Sequence, residues 1–417
     1  MAAALCPGGI RIAHNVDNHA NVERFVVHAV GKNIVKSPIE VLPTSRDLRF
    51  DTLRGLFLVC MIINHLPTEI RKVTDQSLGI FSAAEGFVFL SGLLAGWVYT
   101  RKFRAKGSDG LWAASTGRAS SIYRWHLGAL LLAFVGVQAT EHLLGYCAPT
   151  VPRLFFEHPI LSLGLGASLL YQPGLLDLLP MYCGFVLLLP FVIKALEAGR
   201  QKLVLGVSAA VWFVIQFCPP IDGAPIYPIN TGSFNPLAWQ LLFIAGVVIG
   251  HARVSGFEQL RKPNPAVLVL VSVLAVYAFC VRHGSVPALW PDHTFGMLLN
   301  KPALGLLRMA DFGAVAYLVG ALGARFPKAL SWRPLAYLGR HSLAVVAMQS
   351  VAITLLLQFP LFETALSRTA TAVGLIAAIY GGVAVKIHYF DAPAELPVGA
   401  RQPAARALVR PDDVRAA

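Results

Sequence analysis

Asp51-Thr52-Leu53-Arg54-Gly55-Leu56-Phe57-Leu58-Val59-Cys60-Met61-Ile62-Ile63-Asn64-His65-Leu66-Pro67 reads as a helix that enters an apolar medium on charged residues and leaves it on polar ones. No charge interrupts it from Gly55 to Ile63, and a run of that kind belongs in hydrocarbon. As a span over 52–66 it is short, so it must tilt, draw in Arg49 and Phe50, or sit where the bilayer is thin. Its end is the informative part. Ionisable side chains inside a membrane are costly unless paired or facing water, which makes His65 a functional candidate by default.

Working outward, the same pattern recurs along the 417 residues, of which 56% are hydrophobic and 14% charged, with a mean hydropathy of +0.61. A water-soluble domain of this size cannot hide that much apolar surface. About ten apolar runs are long enough to read as spans: 52–66, 80–99, 122–140, 175–195, 203–217, 237–250, 265–281, 303–322, 342–359 and 369–386. The expected fold class is therefore all-α, a polytopic integral membrane protein. The net charge of +13 lies in short loops and not along a stripe, so it reads as topology and argues against nucleic acid. Arg101, Lys102, Arg104, Lys106 and Arg118 follow the second run, Lys194, Arg200 and Lys202 the fourth, and Arg325, Lys328 and Arg333 the eighth, whereas 218–236 has neither lysine nor arginine. That alternation predicts both termini in the cytoplasm and His65 toward the outer face of the membrane. The six cysteines have no metal-binding spacing and read as packing residues; no metal is expected. Residues 1–45 show neither a span nor a cleavable signal and are expected to be a cytoplasmic extension, 46–390 the membrane domain, and 391–417 a cytoplasmic tail.

The second run begins Phe81-Ser82-Ala83-Ala84-Glu85 and returns from the face that His65 reaches. A carboxylate at that depth can orient an imidazole base; a structural tie between two helices is the plainer reading. Arg308 and Asp311 are three residues apart, which predicts an ion pair on one helix face, although Arg308 in the same cavity as His65 can also bind a carboxylate or an oxyanion. Arg54, Arg124, His126, Arg340 and His341 cluster at expected inner ends, where they suit phosphate or merely anchor helices in headgroups. Asp177, Asn235, Trp239 and Gln240 open spans on the outer side and suit a sugar, with indole on the ring face and amides on hydroxyls. Trp239 is equally at home in an interfacial aromatic belt.

Taken together, Arg46-Asp47-Leu48-Arg49-Phe50-Asp51-Thr52-Leu53-Arg54-Gly55, Asn64-His65-Leu66-Pro67 and Phe81-Ser82-Ala83-Ala84-Glu85-Gly86-Phe87-Val88-Phe89-Leu90-Ser91-Gly92 closely resemble the OpgC family, polytopic succinyltransferases acting on osmoregulated periplasmic glucans. The resemblance continues through Tyr123–Leu127, Gln172–Asp177, Phe234–Phe243 and Gly339–Leu343, and covers about 46–386. Where this chain has Asp311, the family often carries histidine.

The resemblance implies an acyl-CoA co-substrate, succinyl-CoA by family habit, with no permanently bound cofactor. It also implies a bacterial inner-membrane location, a periplasmic glucan or other sugar acceptor, membrane lipid around the protein, and an oligomeric state left open. His65 would act as general base with Glu85 holding its tautomer, Asn64 or Arg308 would meet the oxyanion, and the inner arginines would hold the CoA phosphates. The rival class is a transporter of protons or organic anions, since Glu85, Arg308 and Asp311 are buried charges in a polytopic bundle.

Overall fold

A computed structural model of the chain describes residues 11–15, 23–30, 33–38, 47–145, 157–172, 174–217, 232–256, 263–287, 292–359 and 361–390. By its internal contacts the chain divides into two units, 1–47 and 48–417.

In the first unit, where the sequence pattern had shown no span, three strands pair into an antiparallel sheet in the order β1-β2-β3. They are β1 (Arg11–Asn15), β2 (Glu23–Val30) and β3 (Asn33–Pro38). The middle strand, Glu-Arg-Phe-Val-Val-His-Ala-Val, is rich in β-branched and aromatic residues that favour extended backbone. Val30 faces Asn33 across the β2–β3 hairpin, and the two residues between them are Gly31 and Lys32, a connection length typical of hairpins.

Every element named below in the second unit is a helix. Its elements are α1 (Leu48–Asn64), α2 (Arg71–Thr74), α3 (Ala83–Leu144), α4 (Pro159–Ala167), α5 (Leu178–Glu197), α6 (Gln201–Phe217), α7 (Pro236–Val254), α8 (Pro265–Arg282), α9 (Asp292–Leu299), α10 (Leu306–Arg325), α11 (Arg333–Arg340), α12 (Ser342–Leu356) and α13 (Ala365–Phe390). Among the described residues six of these, α3, α5, α7, α8, α10 and α13, are long and apolar enough to cross a membrane. The number rises to seven if α11 and α12, bent by 84° relative to one another, count as one span. Ten spans are thus not obtained. At 17 residues each, α1 and α6 rise only about 26 Å against a hydrocarbon core of about 30 Å.

The remaining difference lies in α3, one continuous 62-residue run that covers two of the expected spans. It is not straight. Gly107 has φ 66° inside it, a left-handed conformation open to glycine. The Tyr99 hydroxyl donates to the carbonyl of Ala114 (3.4 Å), whereas straight helix would hold those residues about 22 Å apart. Adjacent residues of α5 reach both limbs: Tyr182 donates to the carbonyl of Phe87 and the Cys183 thiol to that of Ala119. The helix therefore folds back on itself near Gly107.

Close packing between α3 and α7 rests on matched glycines. A β-carbon at Gly92 or Gly96 would run into the carbonyls of Phe243 and Val247, and one at Gly246 or Gly250 into those of Phe89 and Leu93. Two small-xxx-small faces thus meet backbone to backbone, the usual way for apolar helices to gain packing where lipid supplies no hydrophobic drive. Beside this seam, Phe87, Tyr182, Phe185 and Phe243 form an aromatic core, with Phe185 and Phe243 ring centroids 5.0 Å apart.

Candidate active site

His65 is the first residue past the end of α1. Its Nδ1 lies 2.6 Å from the carbonyl oxygen of Met61. A carbonyl only accepts, so Nδ1 carries the proton and Nε2 is left with its lone pair. The side chain is exposed, and Arg71, Asp75 and Lys301 are the charged groups close enough to act on it. An imidazole with a fixed tautomer and an open Nε2 is equipped to take a proton from an approaching hydroxyl.

The segment that follows is held in place at three points. Asn64 clamps α2: the Thr74 hydroxyl donates to Asn64 Oδ1 (2.5 Å), and Asn64 Nδ2 donates to the Thr74 carbonyl (3.4 Å). Asp311 of α10 takes the backbone N–H of Ile80 (2.6 Å) and of Phe81 (3.3 Å) on Oδ2. Glu85 closes a capping box, accepting from the backbone N–H (3.0 Å) and hydroxyl (2.6 Å) of Ser82 on Oε2, which satisfies donors at the start of α3.

Two sequence expectations change here. Glu85 does not orient His65. Its other oxygen, Oε1, accepts from Arg308 Nε at 2.9 Å and again from Nη2, so both carboxylate oxygens are engaged and Met61 does the orienting instead. Nor is Arg308 paired with Asp311 along α10, because Asp311 has turned to the backbone of the α2–α3 loop. Arg308 and Glu85 are 3% and 0% exposed, and at such sites a cross-helix ion pair with further hydrogen bonds is the tolerated arrangement.

A cavity of about 300 Å³ is lined by Gln76, Ile80, Val281, Arg282, Leu299 and Arg308. Gln76 directly follows Asp75, and Leu299 is two residues from Lys301, so the cavity and the imidazole share one end of the bundle.

A family model described as OpgC protein matches residues 46–390. The chain belongs to the OpgC family. Membership carries with it a membrane acyltransferase-type role. No curated protein and no solved structure matches the chain.

In this OpgC protein the four outer residues expected to meet a sugar are committed to the protein itself. Trp239 is fully buried, packs edge-on against Phe234 (4.6 Å), and donates from Nε1 to the carbonyls of Lys301 (3.2 Å) and Pro302 (3.1 Å). Asn235 caps α7 by accepting from Leu237 N–H (3.0 Å), and its own N–H goes to Pro302 (3.1 Å). Trp212 and Gln216 reach the carbonyls of Leu304 and Ala303. These residues thus hold the 301–304 turn, and with it Lys301, beside His65. Gln240 bridges to Ser208 of α6, accepting its hydroxyl (2.6 Å) and donating to its carbonyl (2.8 Å), while buried Asp177 takes the N–H of Ser233 (2.7 Å).

The five residues expected at CoA phosphates separate into two places. Arg54 bonds the Ser342 hydroxyl and lies over the Phe87 ring (5.5 Å). Arg340 lies 3.5 Å from the buried carboxylate of Asp51, and His341 sits at the α11–α12 bend with its ring 5.5 Å from that of Tyr337. There α1 and α11 touch backbone to backbone, since a β-carbon at Gly55 or Gly339 would meet the carbonyls of Leu335 and Asp51. His126 is elsewhere, buried on the second limb of α3, with Nε2 3.0 Å from the carbonyl of Gly166 in α4. Arg124 is exposed. Sequence reasoning missed Gln76, Arg282 and Lys301. Arg282 and Lys301 stand just outside the apolar runs 265–281 and 303–322, and Gln76 stands in a polar connection without periodicity.

Proposed function

We propose that this OpgC protein transfers an acyl group, succinyl by family habit, from acyl-CoA to a hydroxyl of a periplasmic glucan, with His65 as the general base. The observation that carries the reading is the His65 tautomer, locked by Met61 with Nε2 left to accept and the side chain exposed. The acceptor hydroxyl attacks the thioester carbonyl as Nε2 takes its proton. The tetrahedral intermediate then expels the CoA thiolate, which leaves as the thiol once the imidazolium returns that proton. Glu85 keeps Arg308 at the cavity wall and plays no part in the proton transfer. Asn64, engaged with Thr74, shapes the loop. The membrane is the bacterial inner membrane, with both termini in the cytoplasm, and CoA approaches from that side. Its phosphates fall to Arg54, Arg340 and His341, two arginines and a histidine gathered at the α1, α11 and α12 junction.

The test is acyl transfer from labelled succinyl-CoA to glucan in membranes carrying wild-type protein or His65→Ala. Loss of transfer at equal protein level is expected, and unchanged transfer overturns the role of His65. Solute flux in proteoliposomes without CoA would move the protein to the transporter class.

A further inference from the structure

We propose that Arg101 and Arg253, stacked against Trp97 and Phe50, form a binding site for the phosphate of an anionic glycerophospholipid. The site is independent of acyl transfer and lies away from the chemistry, since Phe50 precedes His65 by 15 residues, about 22 Å of helical rise.

Three helices build it. Phe50 lies in the first turn of α1, Trp97 and Arg101 stand one turn apart on the first limb of α3, and Arg253 is in the last turn of α7. Helices α3 and α7 are pressed together at this level, because a β-carbon at Gly250 would come within 2.8 Å of the Trp97 backbone nitrogen. The Arg253 guanidinium carbon lies 4.8 Å from the centre of the Trp97 ring and 4.9 Å from that of Phe50. Arg101 lies 5.2 Å from the same indole, and Phe50 meets Trp97 edge to face at 6.2 Å. Two guanidinium groups thus share one indole.

Like charges brought together in this way call for an anion. Arg101 forms no ion pair among the described residues, and Glu197, which reaches the end of α7, is taken by Arg104 (2.9 Å) and His251 (3.0 Å). A guanidinium held over a ring by cation–π attraction has its plane fixed without spending its N–H groups, and that planar fork matches a phosphate. The place selects the source of the phosphate. Phe50 and Trp97 are half-buried at helix ends, where indoles sit at headgroup depth, and basic pockets between membrane helices at that depth take anionic headgroups. Val98, next to Trp97 and 45% exposed, offers apolar contact to an acyl chain. A zwitterionic headgroup would bring its own ammonium against the second arginine, so the lipid that fits carries phosphate without a neighbouring cation.

The experiment titrates the full chain in mild detergent with phosphatidylglycerol, or with phosphatidylcholine of equal chain length, and counts bound lipid by native mass spectrometry. Wild type is expected to hold phosphatidylglycerol at least about tenfold tighter, and Arg101→Gln or Arg253→Gln should each weaken that binding roughly fivefold, the worth of one arginine near an anionic surface. Replacing both by lysine keeps the charge without the fork and should weaken binding less than replacing both by glutamine. The control is Arg200→Gln with Lys202→Gln, exposed cations where α5 gives way to α6, which should leave binding unchanged. Circular dichroism establishes that the variants are folded. Equal binding of the two lipids by wild type overturns the site, and so does a loss in the control as large as that in the arginine variants. Displacement of phosphatidylglycerol by millimolar inorganic phosphate, with chloride matching the ionic strength, assigns the two arginines to a soluble phosphate and overturns the lipid.

Discussion

Two histidines in this bundle are held by the same device and differ in everything that matters for chemistry. His65 at the end of α1 and His126 on the second limb of α3 each give a ring N–H to a backbone carbonyl, Met61 and Gly166 respectively. His65 is exposed, with Arg71, Asp75 and Lys301 around it. His126 is fully buried, and its Nδ1 has no hydrogen-bond partner among the described residues. A fixed tautomer is therefore not what marks a base, for both rings have one. Access for a proton donor does. The sharpest way to break the comparison is to remove each imidazole. His65→Gln should lower acyl transfer by about 10²- to 10⁴-fold, the usual worth of a general base, with little change in thermal unfolding in detergent. If His126→Gln loses as much transfer at unchanged stability, the distinction fails.

The next effect falls on stability and belongs to the His65 end alone. Glu85→Ala strands the Arg308 cation in a buried site, and breaking one side of such a pair costs about 3–5 kcal/mol. The variant should unfold at markedly lower temperature. Glu85→Ala with Arg308→Met removes both charges and should recover most of that loss, since an apolar pair of similar volume is often as stable as the ions. Recovery of stability without recovery of transfer would place Arg308 at the acyl group and Glu85 only behind it. His126→Ala, by contrast, removes one buried hydrogen bond to the Gly166 carbonyl, which keeps the N–H of Leu169, a loss of about 0.5–1.5 kcal/mol. It should loosen α4 against α3, seen as faster amide exchange around Ser162–Ser168.

The same contrast shows how far the sequence could be read. Apolar runs located the helices because lipid leaves little choice of residue, and His65 stood out as a polar group at the edge of one such run. Partners were a different matter. The i,i+3 spacing pointed Arg308 at Asp311, but the pair that formed joins residues 223 apart in the chain, and Asp311 went to the backbone of Ile80 and Phe81, donors that no side-chain pattern displays. Trp239 looked like a sugar platform because an indole with a polar tip suits a cavity mouth. The same tip suits a buried ring that must satisfy one N–H, and only the position of the 301–304 turn decides between them. Among the described residues six helices, or seven with the bent pair, meet the length and hydropathy test where ten runs were expected, because α3 is one run folded back at Gly107 and α1 and α6 stop at 17 residues.

The smallest expected effect is the most discriminating for the loop beside His65. Thr74→Val deletes the hydroxyl that donates to Asn64 Oδ1 while keeping side-chain volume, and the loss of one partly buried hydrogen bond is worth about 0.5–1.5 kcal/mol. If Asn64 and Thr74 only clamp α2, the loop carrying Asp75 and Gln76 becomes less ordered. KM for the acyl donor should then rise several-fold with kcat near wild type, and exchange around Gly166 should not change. If instead kcat falls toward the His65→Gln level, Asn64 is acting on the reacting atoms. Its amide would then donate to the developing oxyanion while Nε2 handles the proton, and the loop would be part of the chemistry as well as its support.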